Sequence, residues 1–183
     1  FGGDGFLRIT VTAGRGPLGS PRDVAPATVI VAIRPGAIRV EPTAVVTVPF
    51  TRNERGALAG LKTTSYAENV VALARAEQRG ASEALFANTV GNLCEGTGAN
   101  VLVGLDGRLV TPPLSSGCLA GITRELLLEA LERAGSPAVV EDVPMERLAE
   151  VDEAFLVSTA RHVQPVTRID DRALPHCPGP LTR

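Results

Sequence analysis

The sequence predicts an α+β fold, or an α/β fold with a mixed sheet, and three observations carry that prediction. Short segments with alternating or continuous apolar patterns recur along most of the chain and suit strands. Two helical segments, each closed by a glycine, are separated by such strands. Asp106-Gly107 lies between two apolar runs and is a strong hairpin signal, which argues against a doubly wound dinucleotide fold of strictly alternating strands and helices.

Taken in order, residues 6–12 (FLRITVT) alternate and predict a strand. Residues 13–26 are rich in Gly, Pro and Ser and predict a loop. Residues 27–33 and 38–49 predict further strands, the second broken at Pro42. A polar connection over 51–64 ends at Leu61-Lys62-Thr63-Thr64. A helix is expected over 65–79, capped by Ser65 with Glu68 three residues on and ended by Gly80. Its apolar residues Ala67, Val70, Val71 and Ala74 are expected to share the buried face. Residues 83–89 predict a strand and 90–92 a turn. Residues 99–105 and 108–111 form the hairpin, which Pro112-Pro113 ends. A second helix is expected over 122–134, closed by Gly135. A short strand over 138–143, a short helix over 145–150 and strands over 153–158 and 163–169 complete the pattern, before an irregular tail from Ala173.

Composition narrows the class. A chain of 183 residues with 44% hydrophobic residues can bury a substantial core, as one large domain or one domain plus part of another. A formal charge of -2, a pI near 5.8 and the lack of a basic stretch argue against a nucleic-acid partner. The longest apolar runs are too short to span a membrane as a helix. The first residue is Phe1 rather than Met, so the start is expected to be cut, disordered or processed. Cys94, Cys118 and Cys177 are odd in number and lack CxxC spacing, so neither a disulfide framework nor a metal site is expected, and a reducing cytoplasm fits best.

Of the 18 basic side chains, all but Lys62 are arginine. An Arg- and Ala-rich chain with one Tyr and no Trp suits a high-GC coding bias. A lysine that survives such a bias is a candidate for work that arginine cannot do, because lysine forms a Schiff base once its pKa is lowered. Lys62 is expected in an apolar, hydroxyl-rich setting with Leu58, Leu61, Thr63, Thr64 and Tyr66, where partial desolvation would favour the neutral amine. The bland alternative is an exposed lysine beside a loop.

Glu95 has apolar residues before it and the small residues Gly96, Thr97, Gly98 and Ala99 after it. A carboxylate so placed suits a protonated ring nitrogen, with small residues letting backbone approach a flat ligand; the alternative is a polar hairpin or bulge. Gly121-Ile122-Thr123-Arg124 opens the second helix, where free amides and a hydroxyl can cradle phosphate or simply cap the helix. Ser158-Thr159-Ala160 ends a buried strand and offers further hydroxyls, or caps that strand.

The run KTTSYAENVVALARAEQRGASEALFANTVGNLCEGTGANVLVGLDGRLVTPPLSSGCLAGITRE resembles the signature region of class IV aminotransferases. That family includes branched-chain and D-amino-acid aminotransferases and 4-amino-4-deoxychorismate lyase. The matching elements are Lys62, EGxGxN from Glu95 to Asn100, a strand pair ending Thr111-Pro112-Pro113, L-x-GITR from Leu119, and Ser158-Thr159-Ala160 ahead of Pro165-Val166.

The resemblance implies an α+β fold-type IV enzyme dependent on pyridoxal 5'-phosphate, like D-amino-acid aminotransferase. It implies a large C-terminal domain of mixed sheet or barrel with flanking helices, over 63–183. Residues 1–52 would be the remnant of a small N-terminal α/β domain and 53–62 the connection, with that domain's phosphate-gripping arginine absent. Lys62 would be the Schiff-base lysine and shuttle protons at the substrate α-carbon. Glu95 would keep the ring nitrogen protonated. Ile122, Thr123 and Thr159 would bind the phosphate, and Tyr66 would face the phenolic oxygen. Ala160 would offer a backbone amide to the substrate carboxylate, and Arg15 would approach the same group.

Of the family's activities, the run KTTSY…ANTVGNLCEGTGAN looks closest to 4-amino-4-deoxychorismate lyase, which releases pyruvate to give 4-aminobenzoate for folate synthesis. The first alternative is a branched-chain or D-amino-acid aminotransferase, which the Ser158-Thr159-Ala160 segment resembles. The second is a non-catalytic homologue or fragment. A cytoplasmic homodimer acting on an amino-acid-like small molecule, with no nucleic-acid or membrane partner, is the accompanying expectation.

Overall fold

The computed structural model describes residues 4–19, 25–37 and 40–183. The chain divides into two compact units, Phe1–Arg39 and Val40–Arg183. Positions 20–24 of the expected loop and positions 38–39 of the expected third strand lie outside the described residues.

In the first unit, β1 (Gly5–Thr12) pairs antiparallel with β2 (Thr28–Pro35). The register sets Leu7 opposite Ile33, Ile9 opposite Val31 and Val11 opposite Val29. Period-2 alternation therefore gathers six aliphatic side chains on one face of the ribbon, and all six are exposed.

The second unit is built on a mixed sheet, nine-stranded among the described residues. Its strands are β3 (Thr43–Arg52), β4 (Glu83–Asn88), β5 (Leu93–Gly96), β6 (Asn100–Leu105), β7 (Arg108–Thr111), β8 (Val139–Val140), β9 (Glu153–Ser158), β10 (His162–Ile169) and β11 (Arg172–Ala173). The order is β5-β4-β3-β10-β9-β6-β7-β8, with β11 beside β10. Pairings β3–β4, β3–β10 and β7–β8 are parallel and the others antiparallel. β10 joins the two halves: residues 162–165 pair with β9, and beyond an irregularity at Val166–Arg168 the strand pairs with β3.

Alternation along the strands feeds three apolar clusters. Val45, Leu85, Val101, Val103 and Leu156 face one shared core. Their neighbours Val46, Ala84 and Phe86 face the other side, where α1 (Ala67–Gln78) packs through Ala72 and Ala76. Leu102, Phe155 and Val157 meet Leu127 and Leu131 of α2 (Ile122–Arg133). The spacings 72/76 and 127/131 are the i, i+4 pairs that one helix face presents. The β6–β7 turn takes the expected form, with Asp106 and Gly107 both at positive φ and Leu105 opposite Arg108.

The boundary expected after residue 52 coincides with the end of β3, whose partners β4 and β10 are far away in sequence. Other expectations need correction. The first helix starts two residues late: Ser65 is not its cap, and Tyr66 holds a non-helical conformation without a side-chain cap. Its buried residues are Asn69, Ala72 and Ala76, whereas Val70 and Val71 are exposed, because the helix lies close over β3 and β4 where only small side chains fit. The strand expected over 138–143 shrinks to Val139–Val140. Glu95 lies in β5, which pairs antiparallel with β4 through an irregularity between Phe86 and Ala87.

Two substitutions test that helix orientation. Ala76→Leu should overpack the face against β3 and β4 and lower stability by roughly 1–3 kcal/mol, whereas Val70→Ala should change it by less than about 0.5 kcal/mol. Urea unfolding measures both, and the reverse order would mean that the valine face is the buried one.

Candidate active site

One cleft of about 750 Å³ opens at an edge of the second unit's sheet. Its wall is assembled from distant parts of the chain: Arg52 at the end of β3, the connection through Lys62 to Tyr66, Asn69 of α1, Glu95 to Asn100, the segment before α2 with Ile122 and Thr123, and Val157 to Thr159 at the end of β9.

Glu95 lies between two positive partners. The Leu119 amide donates to Glu95 Oε2 at 2.9 Å, and Arg52 Nε stands 3.4 Å from Glu95 Oε1. Arg52 Nε is buried and makes no hydrogen bond, so at that distance it supports the carboxylate by charge rather than by a directed bond. The guanidinium is held in place separately. It stacks over the Phe86 ring, 4.4 Å from its centroid, and Nη2 donates to Asn69 Oδ1 at 2.8 Å. Burial pushes the Glu95 carboxyl above its ordinary pKa, while the Leu119 amide, Arg52 and the more distant Lys62 pull it back. Next to it, burial and the Glu95 charge push the Cys94 thiol up to about 12, so Cys94 is a neutral packing group.

The turn after β5 is fixed from both sides. Glu83 Oε1 accepts from the Thr97 amide at 2.8 Å and from the Thr97 hydroxyl. The Thr97 carbonyl accepts from Asn69 Nδ2 at 2.9 Å and from the Tyr66 hydroxyl at 3.2 Å. This last bond places Tyr66 on the cleft wall and accounts for its departure from the helix. Gly96 admits the Glu83 side chain: a Cβ there would lie 3.0 Å from Glu83 Cγ and Cδ.

The start of α2 is pinned just as firmly. Buried Arg124 donates to the Pro112 carbonyl at 2.9 Å and to Thr111 Oγ1 at 3.3 Å. Asn100 donates to the Leu119 carbonyl at 2.9 Å, and a Cβ on Gly121 would lie 2.0 Å from Asn100 Oδ1. Glycine at 121 is thus required by a close approach. No side chain caps this helix, so its first amides are available at the cleft wall beside Ile122 and Thr123.

The structure therefore brings Lys62, Tyr66, Glu95, Ile122, Thr123 and Thr159 to one cleft. Ala160 follows Thr159 in an exposed turn and does not line it. Arg15 is an exposed residue of the loop after β1, in the first unit. Lys62, Leu58 and Leu61 are exposed in this chain, rather than in the partly desolvated setting expected for Lys62. Lys62 Nζ lies 5.9 Å from the centroid of the Tyr66 ring.

Sequence reasoning missed Arg52, Asn69 and Glu83. Glu83 is a carboxylate at the start of the apolar run EALFA, which was the available signal, whereas Asn69 lies in a helix with several other polar residues and had none. Among the described residues no His, Cys, Asp and Glu cluster could hold a metal, and no helix is long and apolar enough to cross a membrane.

Comparison with known proteins places this arrangement in context. The amino-transferase class IV family matches residues 2–169. A candidate branched-chain-amino-acid aminotransferase of Methanocaldococcus jannaschii is 32% identical over 175 residues, covering 93% of this chain and 61% of that protein. The crystal structure of a branched-chain aminotransferase from Thermoproteus uzoniensis with norvaline superposes with a TM-score of 0.89 at 31% identity, over 97% of this chain and 61% of that one. A Legionella pneumophila structure named as a candidate 4-amino-4-deoxychorismate lyase superposes with a TM-score of 0.90 at 24% identity, over 97% and 66%, a likeness of fold. The chain spans less than two thirds of the length of the curated relatives it matches.

The Glu95 environment gives a pH test. A carboxyl whose folded pKa exceeds its unfolded value binds its proton more tightly when folded, so the folded state is favoured at low pH. That increment is lost as pH rises from the ordinary carboxylate range through the raised value, and it stays lost above it. The unfolding free energy of the native chain minus that of Glu95→Gln should fall across this window and then level off in urea titrations at a series of pH values. A rise with pH would mean that Arg52 and the Leu119 amide outweigh burial.

Proposed function

The chain belongs to the class IV aminotransferases, and on that premise we propose that it transfers the amino group of a branched-chain amino acid to a 2-oxo acid with pyridoxal phosphate as cofactor, D-amino acids being the next substrate class to consider. The family depends on that cofactor, and one similar solved structure, from Thermobaculum terrenum, is a holo-form carrying it. The observation that carries the proposal is the meeting of Lys62, Glu95 and the α2 N-terminus on one cleft wall.

The donor set suits this cofactor. Its ring nitrogen calls for an acceptor-only group, its aldehyde for an amine, and its phosphate for N–H and O–H donors. Glu95, Lys62 and the first turn of α2 with Thr123 and Thr159 are those three kinds of group. A cleft of about 750 Å³ is of the size that takes such a ligand. When bound, pyridoxal phosphate supplies an electron-withdrawing ring that stabilises negative charge at the substrate α-carbon.

The chain's residues have distinct tasks in this reading. Lys62 is the only side-chain amine in the sequence, so it would hold the cofactor through its aldehyde carbon and, once a substrate amine has displaced it there, would carry a proton at the substrate α-carbon. Glu95 would hold a proton at the ring nitrogen, and the Leu119 amide and Arg52 oppose the burial that raises its pKa. The Ile122 and Thr123 amides and the Thr123 and Thr159 hydroxyls bind phosphate, aided by the positive end of the α2 dipole. Tyr66, tied to the Thr97 carbonyl, would face the cofactor's phenolic oxygen. Ala160, which does not line the cleft, has no task in this reading.

Relatives named as branched-chain aminotransferases, and a D-alanine aminotransferase from Bacillus licheniformis, support transfer over the lyase expected first from the sequence. The lyase reading keeps a fold-level likeness. Mixing the cofactor-loaded protein with L-Leu, D-Ala or 4-amino-4-deoxychorismate in separate half-reactions decides among them. L-Leu should change the cofactor's visible spectrum and release its 2-oxo acid. Formation of 4-aminobenzoate without amino transfer would overturn the proposal. Lys62→Ala should abolish the spectral change and lower turnover at least about 10²-fold, and an unaffected rate would remove Lys62 from the mechanism.

A further inference from the structure

Glu83 is a carboxylate that the reading above leaves without a task, yet it is almost completely buried, with 1% of its surface exposed. Its two oxygens serve different walls of the cleft. Oε1 accepts from the amide and hydroxyl of Thr97, the turn that bears Tyr66 and Asn69 on its carbonyl. Oε2 stands 3.3 Å from Arg161 Nη2.

Arg161 in turn closes the segment that presents Thr159. Its amide donates to the Ser158 carbonyl and to Ser158 Oγ, both at 3.2 Å. Its guanidinium ties that turn to the start of β4, donating to the Ser82 carbonyl at 2.7 Å and to Ser82 Oγ at 3.1 Å, and it also donates to Gln164 Oε1. A fork of five N–H donors makes several such bonds at fixed angles, which an ammonium cannot match. Since Glu83 has little water around it, its position and that of Arg161 are strongly coupled.

We propose that Glu83 and Arg161 form a brace that sets the separation of the Thr97 turn from the Thr159 turn, making Arg161 a positioning residue for the phosphate end of the cofactor. The inference rests on the functional reading above. Arg161 does not line the cleft and acts through Thr159. Its loss lets the Thr159 turn drift, so the effect falls on binding of the phosphate and spares the ring.

Titrating the cofactor-free protein with pyridoxal phosphate and, separately, with pyridoxal, which lacks the phosphate, separates the two ends. Arg161→Met should weaken binding of pyridoxal phosphate about tenfold, the loss of roughly one hydrogen bond to a charged group, and change pyridoxal binding less than twofold. Arg161→Lys, which keeps the charge but not the fork, should fall between native and Arg161→Met. Equal weakening of both ligands, or of neither, would overturn the brace while leaving the functional reading intact. A native protein that binds neither ligand would overturn both. Should Arg161→Met fail to fold, Arg161→Lys alone decides: a loss confined to pyridoxal phosphate supports the brace, and an equal or absent loss overturns it.

Discussion

Glu95 has to remain a usable acceptor under a layer of protein, and much of the second unit is arranged around that constraint. Burial favours its neutral form, and the Leu119 amide and the Arg52 guanidinium oppose burial. Each of these supports needs its own support. Arg52 is kept in place by Phe86 and Asn69, and Leu119 by Asn100. A single carboxylate thus ties together β3, β5, β6, α1 and the approach to α2.

The same economy of contacts explains why the cleft wall has a defined shape although turns and loop ends form most of it. Backbone in turns leaves polar groups unpaired, and these need partners if the turn is to be held. Thr97 finds Glu83 on one side and Asn69 and Tyr66 on the other. The start of α2 is held by Arg124 reaching the end of β7. Buried polar side chains anchored in strands and helices therefore carry the geometry of segments that have no regular structure. Small residues make room for them, as Gly96 does for Glu83 and Gly121 for Asn100.

Most elements of the fold were legible because their signals are local. Alternation marked β1, an apolar run marked β9, the Asp106-Gly107 turn marked the β6–β7 hairpin, and terminal glycines marked both helix ends. Of the site, Lys62, Glu95, Ile122, Thr123 and Thr159 were legible as a family pattern, and they line one cleft. What misled was non-local. The valines of α1 looked like its core face, but the available space over β3 and β4 admits Ala72 and Ala76 instead. Lys62 looked sheltered by its apolar neighbours, but those neighbours are themselves exposed on the rim. Arg52 read as part of a polar connection, yet it is the last residue of a strand whose pairing with β4 brings it to Glu95.

By itself, the sequence determined the alternation of strands and helices, the single amine of Lys62 and the order of the cleft residues, since these depend on residue type and short spacing. Only the tertiary structure decided which helix face is covered, how exposed Lys62 is and which groups surround Glu95. Those properties arise from pairings between segments tens of residues apart, such as β3 with β10 and Glu83 with Arg161. Partners at such separations are chosen by packing and by the need to satisfy buried polar groups, and short-range patterns carry no record of either choice.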